Sequence, residues 1–360
     1  MQLDMHYYGT YAMARAAGMQ PDACFIVATA SQFVDDNAED KDIEFRDGAS
    51  IAVRATAHHA TDLKNIDRKD QRRIWVPFHF IPGNEGGSFT ERLICRKDSG
   101  IAREMVDHNL GQHRKSYALE LLGITAHVYA DTFSHYGFSG VSSRHNKVVN
   151  DSIELHGLTP EIERYVRDKE RRFREKYGDE GGLIPNIKSW FAEELSGALG
   201  HGAVLTYPDR PYLRWSFEHE YPNVRREERD NPATFLEACE ALHRTFRRFL
   251  GLRPEFRQDE GQEFSTIRGT VEDVLRRQAP KEDRIEAWKE AARDGGLFVG
   301  GEEIPDYDGD AWKASIDALD GTEDSSAVVD LPAFRFQQAA SMHRSYVLKE
   351  LLPSHGLVVA

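Results

Sequence analysis

Several features that mark other protein classes are scarce or absent in this sequence. Its 360 residues include three cysteines, Cys24, Cys95 and Cys239, and no Cys-x-x-Cys pair. This excludes a disulfide framework and a thiolate zinc site. No segment approaches the roughly 20 consecutive apolar residues of a membrane span. Positive charge is also in deficit: 46 Lys and Arg face 60 Asp and Glu, and the formal charge of −14 disfavours nonspecific attraction to nucleic acid or anionic lipid.

The composition predicts an ordinary globular protein. Hydrophobic residues make up 40% of the chain, which is enough for a substantial core. The opening Met-Gln-Leu-Asp-Met-His has neither a basic nor an apolar leader region, so a cytoplasmic location is expected. We expect a metal-binding helical domain over residues 1–250. Few ligand-type side chains follow residue 252, so residues 251–360 are predicted to be a helical extension packed on that domain.

Hydrophobic periodicity predicts a mainly α fold. Two short alternating runs, 43–45 and 51–56, flank a glycine-containing turn and predict a small β-hairpin insertion. The run 75–82 is apolar but contains two prolines, which favours an extended segment or an edge strand. Helices are predicted at 6–17, 21–37, 112–136, 159–177, 186–200, 232–250, 266–278, 281–294, 308–319 and 332–352.

The most informative pattern lies in the predicted helix 112–136. His127, Asp131 and His135 follow one another at intervals of four residues within an apolar run. Because a helix turns by about 100° per residue, this spacing places all three side chains on one strip of its surface. Imidazole nitrogen and carboxylate oxygen suit zinc, iron or manganese. The alternative, two surface histidines, is less favoured because unpartnered ionisable groups on a buried helix are costly.

Further candidate ligands lie near predicted helix ends and in loops. The metal candidates outside the triplet are His6, Asp35, His58 and His201, and the catalytic candidates are Asp35, Asp36 and His79. Arg210 and Tyr7 are candidates for substrate binding. Each has an ordinary structural alternative: a flexible terminal histidine for His6, a solvated Asp-Asp-Asn turn for Asp35 and Asp36, an exposed loop pair for His58 and His59, a core histidine for His79, an ion pair with Asp209 for Arg210, and a place in the core for Tyr7.

The ordered series His6, Asp35, His58, His127, Asp131 and His135 resembles the zinc-dependent phospholipase C and S1/P1 nuclease superfamily. The phrase His-x3-Asp-x-Phe-x-His-x-Gly-Phe-Ser-Gly at 127–140 is the most similar part. Residues 1–220 also resemble a bacterial domain family of unknown function, through Asp-Met-His-Tyr-Tyr-Gly-Thr-Tyr at 4–11, Ser-Gln-Phe-Val-Asp-Asp-Asn at 31–37 and Pro-Phe-His-Phe at 77–80.

The resemblance implies a phospholipase C-like helical core in which two or three zinc ions activate water for phosphodiester cleavage. Asp131 would bridge the ions, His127, Asp35 and His58 would hold one of them, and His6 and His135 would hold the others. Two differences between this sequence and the superfamily's ligand pattern favour two ions over three. The superfamily uses a free amino terminus as a ligand, whereas this chain begins five residues before His6. The superfamily's His-x3-Glu pair is also missing, and His201, with Asp209 or His145, is a candidate replacement.

These observations predict a metal-dependent phosphoric-ester hydrolase acting on a small phosphorylated or phosphodiester substrate. The alternative is a catalytically idle, metal-stabilised helical module that binds a partner. An HD-type phosphohydrolase is disfavoured because the sequence has no His-Asp dipeptide, and a serine hydrolase because it has no Gly-x-Ser-x-Gly. No basic-aromatic stripe indicates single-stranded nucleic acid.

Overall fold

The computed structural model describes residues 1–58, 67–177, 200–323 and 325–359, and in these the fold is mainly α, as predicted. The α-helices are α1 (Thr10–Ala16), α2 (Pro21–Asp36), α3 (Arg68–Asp70), α4 (Val76–Phe78), α5 (Phe89–Arg92), α6 (Gly100–Gly111), α7 (Ala118–His135), α8 (Pro160–Tyr177), α9 (Asn231–Leu252), α10 (Phe264–Arg276), α11 (Lys281–Arg293), α12 (Gly309–Asp317), α13 (Pro332–Tyr346) and α14 (Leu352–Ser354). π-helical turns span Asp4–Gly9, Gln71–Trp75 and Val347–Leu351. The helix predicted at 186–200 lies, except for Gly200, outside the described residues.

The predicted hairpin is confirmed. Strands β1 (Lys41–Glu44) and β2 (Ser50–Val53) pair antiparallel, with Ile43 opposite Ile51. A second antiparallel sheet, in the order β3 (Glu154–His156), β4 (Arg214–His219) and β5 (Arg225–Asp230), was not predicted. Strand β5 reads Arg-Arg-Glu-Glu-Arg-Asp, and such a run of charges has no apolar alternation to indicate a strand.

The prediction of an extended segment or edge strand at 75–82 is wrong for residues 75–78, which are helical, whereas Pro82 forms an isolated antiparallel bridge with Cys95. Asp67 caps α3 by accepting hydrogen bonds from the backbone N–H groups of Lys69 and Asp70, and the helical path continues through Gln71–Trp75 into α4. Pro77 lies near the C-terminal end of this helical path, which stops after Phe78. His79 therefore follows a helix end instead of alternating along a strand.

Helix α7 is the centre of the molecule, and it packs against α2, α6, α9 and α13. The approach to α2 is closest at Gly123, where an added Cβ would lie 2.4 Å from the carbonyl oxygen of Val27 and 2.6 Å from Cβ of Ala30. A larger residue at position 123 would have to push the two helices apart. One turn further along α7, Nδ1 of His127 lies 2.8 Å from the carbonyl oxygen of Ser31 in α2.

One buried apolar cluster joins the N-terminal helices to the helices after residue 250, for example through the edge-to-face contact of Phe33 with Phe336. The predicted domain boundary at 250 stays a prediction. A smaller cluster, which includes Phe138, Trp215 and Phe217, lies against the three-stranded sheet. In the described part of the chain, no helix is long and apolar enough to cross a lipid bilayer.

A buried ion pair attaches α11 to the N-terminal turn. Nε of Arg284 donates to the Asp4 carboxylate over 2.6 Å, and both residues are 1% exposed. The same guanidinium donates to the side-chain oxygen of Gln2 at 2.6 Å and to the carbonyl of Ala279 at 3.0 Å. Arg284 therefore fixes the segment that carries His6.

His343 in α13 is a buried neutral histidine. Its Nε2 donates to the carbonyl of Pro77 at 2.8 Å, which leaves Nδ1 to accept a hydrogen bond from the Asn109 side-chain amide at 3.2 Å. The Asn109 amide also donates to the Thr125 hydroxyl. Burial lowers the pKa of His343 to about 4. A second proton, on Nδ1, would face the N–H donor of Asn109, so the charged form of the ring is disfavoured.

We expect His343 to make stability depend on pH. Its ordinary pKa is about 6.5, so between pH 6.5 and 4 the unfolded chain binds more protons than the folded one. Its contribution is complete above pH 6.5 and falls by about 3 kcal/mol as the pH drops to 4. Urea unfolding of wild type and His343→Gln, both in excess EDTA, should show the steeper loss in wild type. Equal pH slopes would contradict this prediction.

Candidate metal centre

The predicted strip on α7 exists and is buried. His127 and Asp131 are 0% exposed and His135 is 4% exposed. Oδ2 of Asp131 lies 3.2 Å from Nε2 of His127 and 3.5 Å from Nδ1 of His135, one turn away on either side. The four-residue spacing therefore brings the three polar side chains together inside the core, where each needs a partner.

Five further side chains from other segments reach this strip: His6, Asp35, His79, His201 and Asp209. They come from the first π-helical turn, the end of α2, the residue after α4 and the segment before β4. With the strip they form three groups, each with ligand atoms within 4.8 Å of one another, and each group could hold a metal ion. The groups are His6, His127 and Asp131; Asp35, His79 and His127; and His135, His201 and Asp209.

Backbone hydrogen bonds fix the orientation of His127 and His79. A carbonyl oxygen can only accept, so Nδ1 of His127 donates to Ser31 at 2.8 Å and Nε2 of His79 donates to Thr56 at 2.9 Å. In the neutral rings, the lone pairs are then on Nε2 of His127 and Nδ1 of His79. These two nitrogens face each other at 3.2 Å, and both lie within 3.4 Å of Oδ2 of Asp131.

The third group repeats this arrangement. Nδ1 of His135 donates to the carbonyl of His79 at 3.0 Å, and Nδ1 of His201 donates to the carbonyl of Leu205 at 2.6 Å. Their Nε2 atoms lie 3.1 Å and 3.6 Å from the two carboxylate oxygens of Asp209. Histidines that bind metals usually donate their second ring N–H to a carbonyl or carboxylate in this way.

The electrostatics favour neutral rings at His6 and His201 and ionised carboxylates at Asp131 and Asp209. Burial, together with the stacked ring of His127, holds the pKa of His6 well below its usual value. Burial lowers the pKa of His201 to about 4, although Asp209 opposes the shift. Burial alone would raise the pKa of Asp131, but the neighbouring His135, the Met1 α-amino group, His127 and His6 together hold it well below its usual range. Neutral nitrogens and anionic oxygens are the states in which these groups bind cations.

The backbone nitrogen of Met1 also lies in this cluster, as an α-amino group. It is 2.8 Å from Oδ1 of Asp131 and 3.3 Å from Oδ1 of Asp209. Burial lowers the pKa of this group, but Asp131, Asp209 and Asp35 together raise it to about 11. Although Met1 precedes His6 by five residues, the turn Asp4–Gly9 folds this nitrogen back against the carboxylates.

The loop that carries Asp209 is fixed by Asn231, the first residue of α9. Its side-chain amide donates to the carbonyls of Tyr207 and Arg210, each at 2.7 Å. These carbonyls bracket Asp209 on both sides. Asn231 is 4% exposed, so this arrangement is part of the core.

The chain leaves α7 through a second braced loop. Gly137 has a φ of +87°, which glycine adopts without strain, and an added Cβ there would lie 2.8 Å from the guanidinium of Arg229. Arg229 from β5 stacks 3.4 Å from the ring centre of Tyr136 and donates to its carbonyl. The unpredicted sheet therefore supports the residue that follows His135.

Two predicted site residues have other partners. His58 is in none of the three groups, and its Nε2 lies 3.4 Å from Oδ2 of Asp70. His59 lies outside the described residues. Asp36 accepts a hydrogen bond from the hydroxyl of Tyr307 at 2.5 Å, whereas the adjacent Asp35 faces the histidines. Consecutive helical residues point about 100° apart, so only one of the two aspartates can join the cluster.

The two predicted substrate-binding residues are buried and are in none of the three groups. Arg210 is 6% exposed, and its guanidinium donates to the hydroxyls of Thr206 and Tyr212 instead of pairing with Asp209. Tyr7 is 0% exposed and packs against Tyr8 and Tyr307. His145, considered as a replacement ligand, contacts Thr90 and Tyr221.

Two members of the cluster were not predicted in their present role. His79 was expected to be catalytic, but its Nδ1 belongs to a ligand group. Asp209 was considered only as a helper of His201. The available signal for Asp209 was its place between Pro208 and Pro211, which presents a carboxylate on a rigid turn.

The cluster has limited contact with solvent. The side chain of Asp35 is 32% exposed and that of His201 is 18% exposed, whereas His6, His127 and Asp131 are enclosed. A small molecule that reaches this centre would therefore meet Asp35 and His201 first.

Comparison with known proteins gives one match. The model of a family described as a family of unknown function (DUF6765) matches residues 1–351. No curated protein and no solved structure matches the chain.

Proposed function

The chain belongs to the family of unknown function DUF6765, and we propose that it is a metal-dependent phosphoric-ester hydrolase whose centre is the cluster around Asp131. One observation carries the proposal: histidine lone pairs and carboxylate oxygens converge on one another in the core. Without a cation or extra protons between them, these atoms would repel. The link to the phospholipase C and S1/P1 nuclease superfamily is part of this proposal and is supported by the order of the matching residues.

The distances agree with cation binding. Nitrogen and oxygen ligands lie about 2.0–2.1 Å from a zinc ion, so two ligands of a tetrahedral site are roughly 3.4 Å apart. The contacts of His127 with His79 and Asp131 are both 3.2 Å, and Nε2 of His6 lies 3.2 Å from Oδ1 of Asp131. Two bare acceptors cannot form a hydrogen bond with each other, so a shared cation or an added proton must lie between Nε2 of His127 and Nδ1 of His79.

Two cations agree with the donor set better than three. The first two groups share Nε2 of His127, and one nitrogen lone pair binds one cation. These groups therefore compete for a single ion, while the group of His135, His201 and Asp209 has no member in common with either. Asp131 lies between the two positions: its Oδ2 is 3.2 Å from Nε2 of His127, and the Met1 nitrogen, 2.8 Å from its Oδ1, lies 3.3 Å from Oδ1 of Asp209. Zinc is our first choice, because the ligands are imidazoles and carboxylates.

Two divalent cations would supply a water of lowered pKa and would offset charge on a phosphoryl group. The protein's own contribution is to hold its imidazoles as acceptors and to place Asp35 at the entrance. The partly exposed Asp35 carboxylate can accept a hydrogen bond from an incoming water and orient it. The carboxylates of the cluster pair with imidazoles and an α-amino group, and no Lys or Arg of the described residues lies within ion-pair distance of them.

The enclosure of the cluster favours the second candidate, an idle metal-stabilised module. Structural metal sites are closed, while catalytic sites keep a position open for water or substrate. Among the side chains of the three ligand groups, only those of Asp35 and His201 are appreciably exposed. A measurement must therefore separate metal content from turnover.

We expect purified protein to contain about two equivalents of zinc by elemental analysis and to hydrolyse bis(p-nitrophenyl) phosphate. Dialysis against a chelator should remove the zinc and abolish the hydrolysis, and added Zn²⁺ should restore metal content and activity together. p-Nitrophenyl phosphate in parallel would separate diester from monoester cleavage. Bound metal without hydrolysis of either ester would support the module, and protein that binds no divalent cation would exclude both candidates.

A further inference from the structure

A second cleft lies away from the metal centre. Its volume is about 650 Å³, and it is bounded by β2, the end of α6, Tyr117 before α7 and the outer face of α13. Helix α7 has 18 residues and is therefore roughly 27 Å long. Tyr117 precedes its first residue, whereas His135 is its last. No described residue that lines the cleft belongs to the three ligand groups.

The lining of this cleft is polar and nearly uncharged. It contains no Lys or Arg among the described residues and one carboxylate, Glu350. The side chains of Gln112, Gln338, Ser341 and Ser345 project from its walls, and within the described chain none of them makes a hydrogen bond. An anionic ligand would find no cation here, and a purely apolar ligand would cover these donors and acceptors without replacing their bonds to water.

The β2 wall adds backbone groups. Phe45 N–H donates to the carbonyl of Ala49, so Phe45 and Ala49 are a hydrogen-bonded pair of the hairpin. Hydrogen-bonded and non-hydrogen-bonded pairs alternate along an antiparallel ladder, so the N–H and C=O groups of Ser50 and Ala52 point away from β1. The next outward N–H, that of Arg54, is already bound by the side-chain oxygen of Gln337 from α13. The cleft therefore offers backbone donors and acceptors opposite the free amide and hydroxyl groups of α13.

Aromatic side chains form another part of the lining of the cleft. Tyr117 and Phe334 line the cleft and are partly exposed, and His108 stacks on Tyr346 at its margin. Neutral hydrogen-bonding groups beside aromatic rings suit a ligand with many hydroxyl groups and apolar C–H faces. A cavity of 300–1,000 Å³ is the usual size for a small-molecule site.

We propose that this cleft binds a neutral saccharide. Its hydroxyl groups would bond to Gln338, Ser341 and the outward backbone groups of β2, and its C–H face would lie on Tyr117 or Phe334. This inference does not depend on the metal centre or on the proposed hydrolysis.

Saturation-transfer difference NMR with the 360-residue chain tests the proposal. The probes are maltose, cellobiose, lactose and N,N′-diacetylchitobiose, each added separately, and at least one should receive saturation and show a dissociation constant by titration. The double variant Gln338→Ala/Ser341→Ala should bind that sugar about tenfold more weakly, because each lost hydrogen bond contributes about 0.5–1.5 kcal/mol. The control Lys349→Ala changes an exposed residue just beyond α13 that does not line the cleft, and it should bind as wild type does.

Three results would overturn the proposal: no transfer to any of the four sugars, equal binding by the double variant, or equal weakening by Lys349→Ala. Thermal unfolding of each variant separates a loss of binding from a loss of fold. An extended peptide, acetyl-Thr-Val-Thr-Val-amide, serves as a competing probe because it could pair with the β2 edge. Binding of this peptide without binding of any sugar would also overturn the saccharide assignment.

Discussion

Asp131→Asn is expected to release bound metal and to lower phosphodiesterase activity by about 10³-fold or more. The amide keeps the shape of the side chain, but it removes the charge and turns an N–H donor towards atoms that accept. Metal ions contribute several kcal/mol to charge stabilisation in phosphoryl transfer, and about 4 kcal/mol corresponds to about 10³ in rate. Elemental analysis after gel filtration and hydrolysis of bis(p-nitrophenyl) phosphate measure the two effects.

The matched control for Asp131→Asn is Glu120→Gln, which makes the same carboxylate-to-amide change on α7. Glu120 is 2% exposed, and burial raises its pKa to about 7, so it is another enclosed carboxyl group on the same helix. It lies in the first turn of α7, eleven residues before Asp131. Its amide variant should keep wild-type metal and activity. Full metal content and activity in Asp131→Asn would exclude the assignment of Asp131 to the centre.

Arg284→Met is expected to lower the free energy of unfolding by about 3–5 kcal/mol, because it leaves the Asp4 carboxylate buried without its partner. Adding Asp4→Asn should recover much of this loss, since the uncompensated charge is then removed. Chemical denaturation of the two variants measures both steps. Because Arg284 fixes the turn that carries His6, the single variant should also bind less metal.

An exposed ion pair on the same helix provides the comparison for Arg284→Met. Arg293 is paired with Glu286 in α11, and its side chain is 40% exposed. Exposed ion pairs contribute little to stability, so Arg293→Met should leave the free energy of unfolding nearly unchanged. Similar losses in the two arginine variants would contradict a specific role for the buried pair.

Much of the helical framework follows from local signals in the sequence. The proline-opened helices α2, α8 and α13 begin within one residue of their predicted starts, because proline at the first helical position is a strong local signal. The start of α7 was predicted at Gln112, six residues before Ala118. The spacing of His127, Asp131 and His135 predicted one shared face correctly, since a helix fixes it locally.

The remaining site could not be derived from local patterns. His79 and Asp209 join the cluster through contacts with Thr56, His135 and Asn231, and these partners are distant in sequence. His58 and Asp209 both carry ligand-type groups in loops, and the prolines that flank Asp209 indicate a rigid turn without indicating that Asp209, and not His58, enters a ligand group. The charged strand β5 was missed because its pairing with β4, and not its own composition, makes it a strand.

The contact at Gly123 has a consequence for the ions that the centre would accept. It sets the spacing of α2 and α7, and the two helices contribute Asp35 and His127 to the same ligand group. Ion radius and coordination geometry discriminate between metals on the scale of tenths of an ångström. Cation selectivity would thus be tied to a glycine that touches no ligand group. A larger residue at position 123 would alter which metal is preferred, although every residue of the three groups would be unchanged.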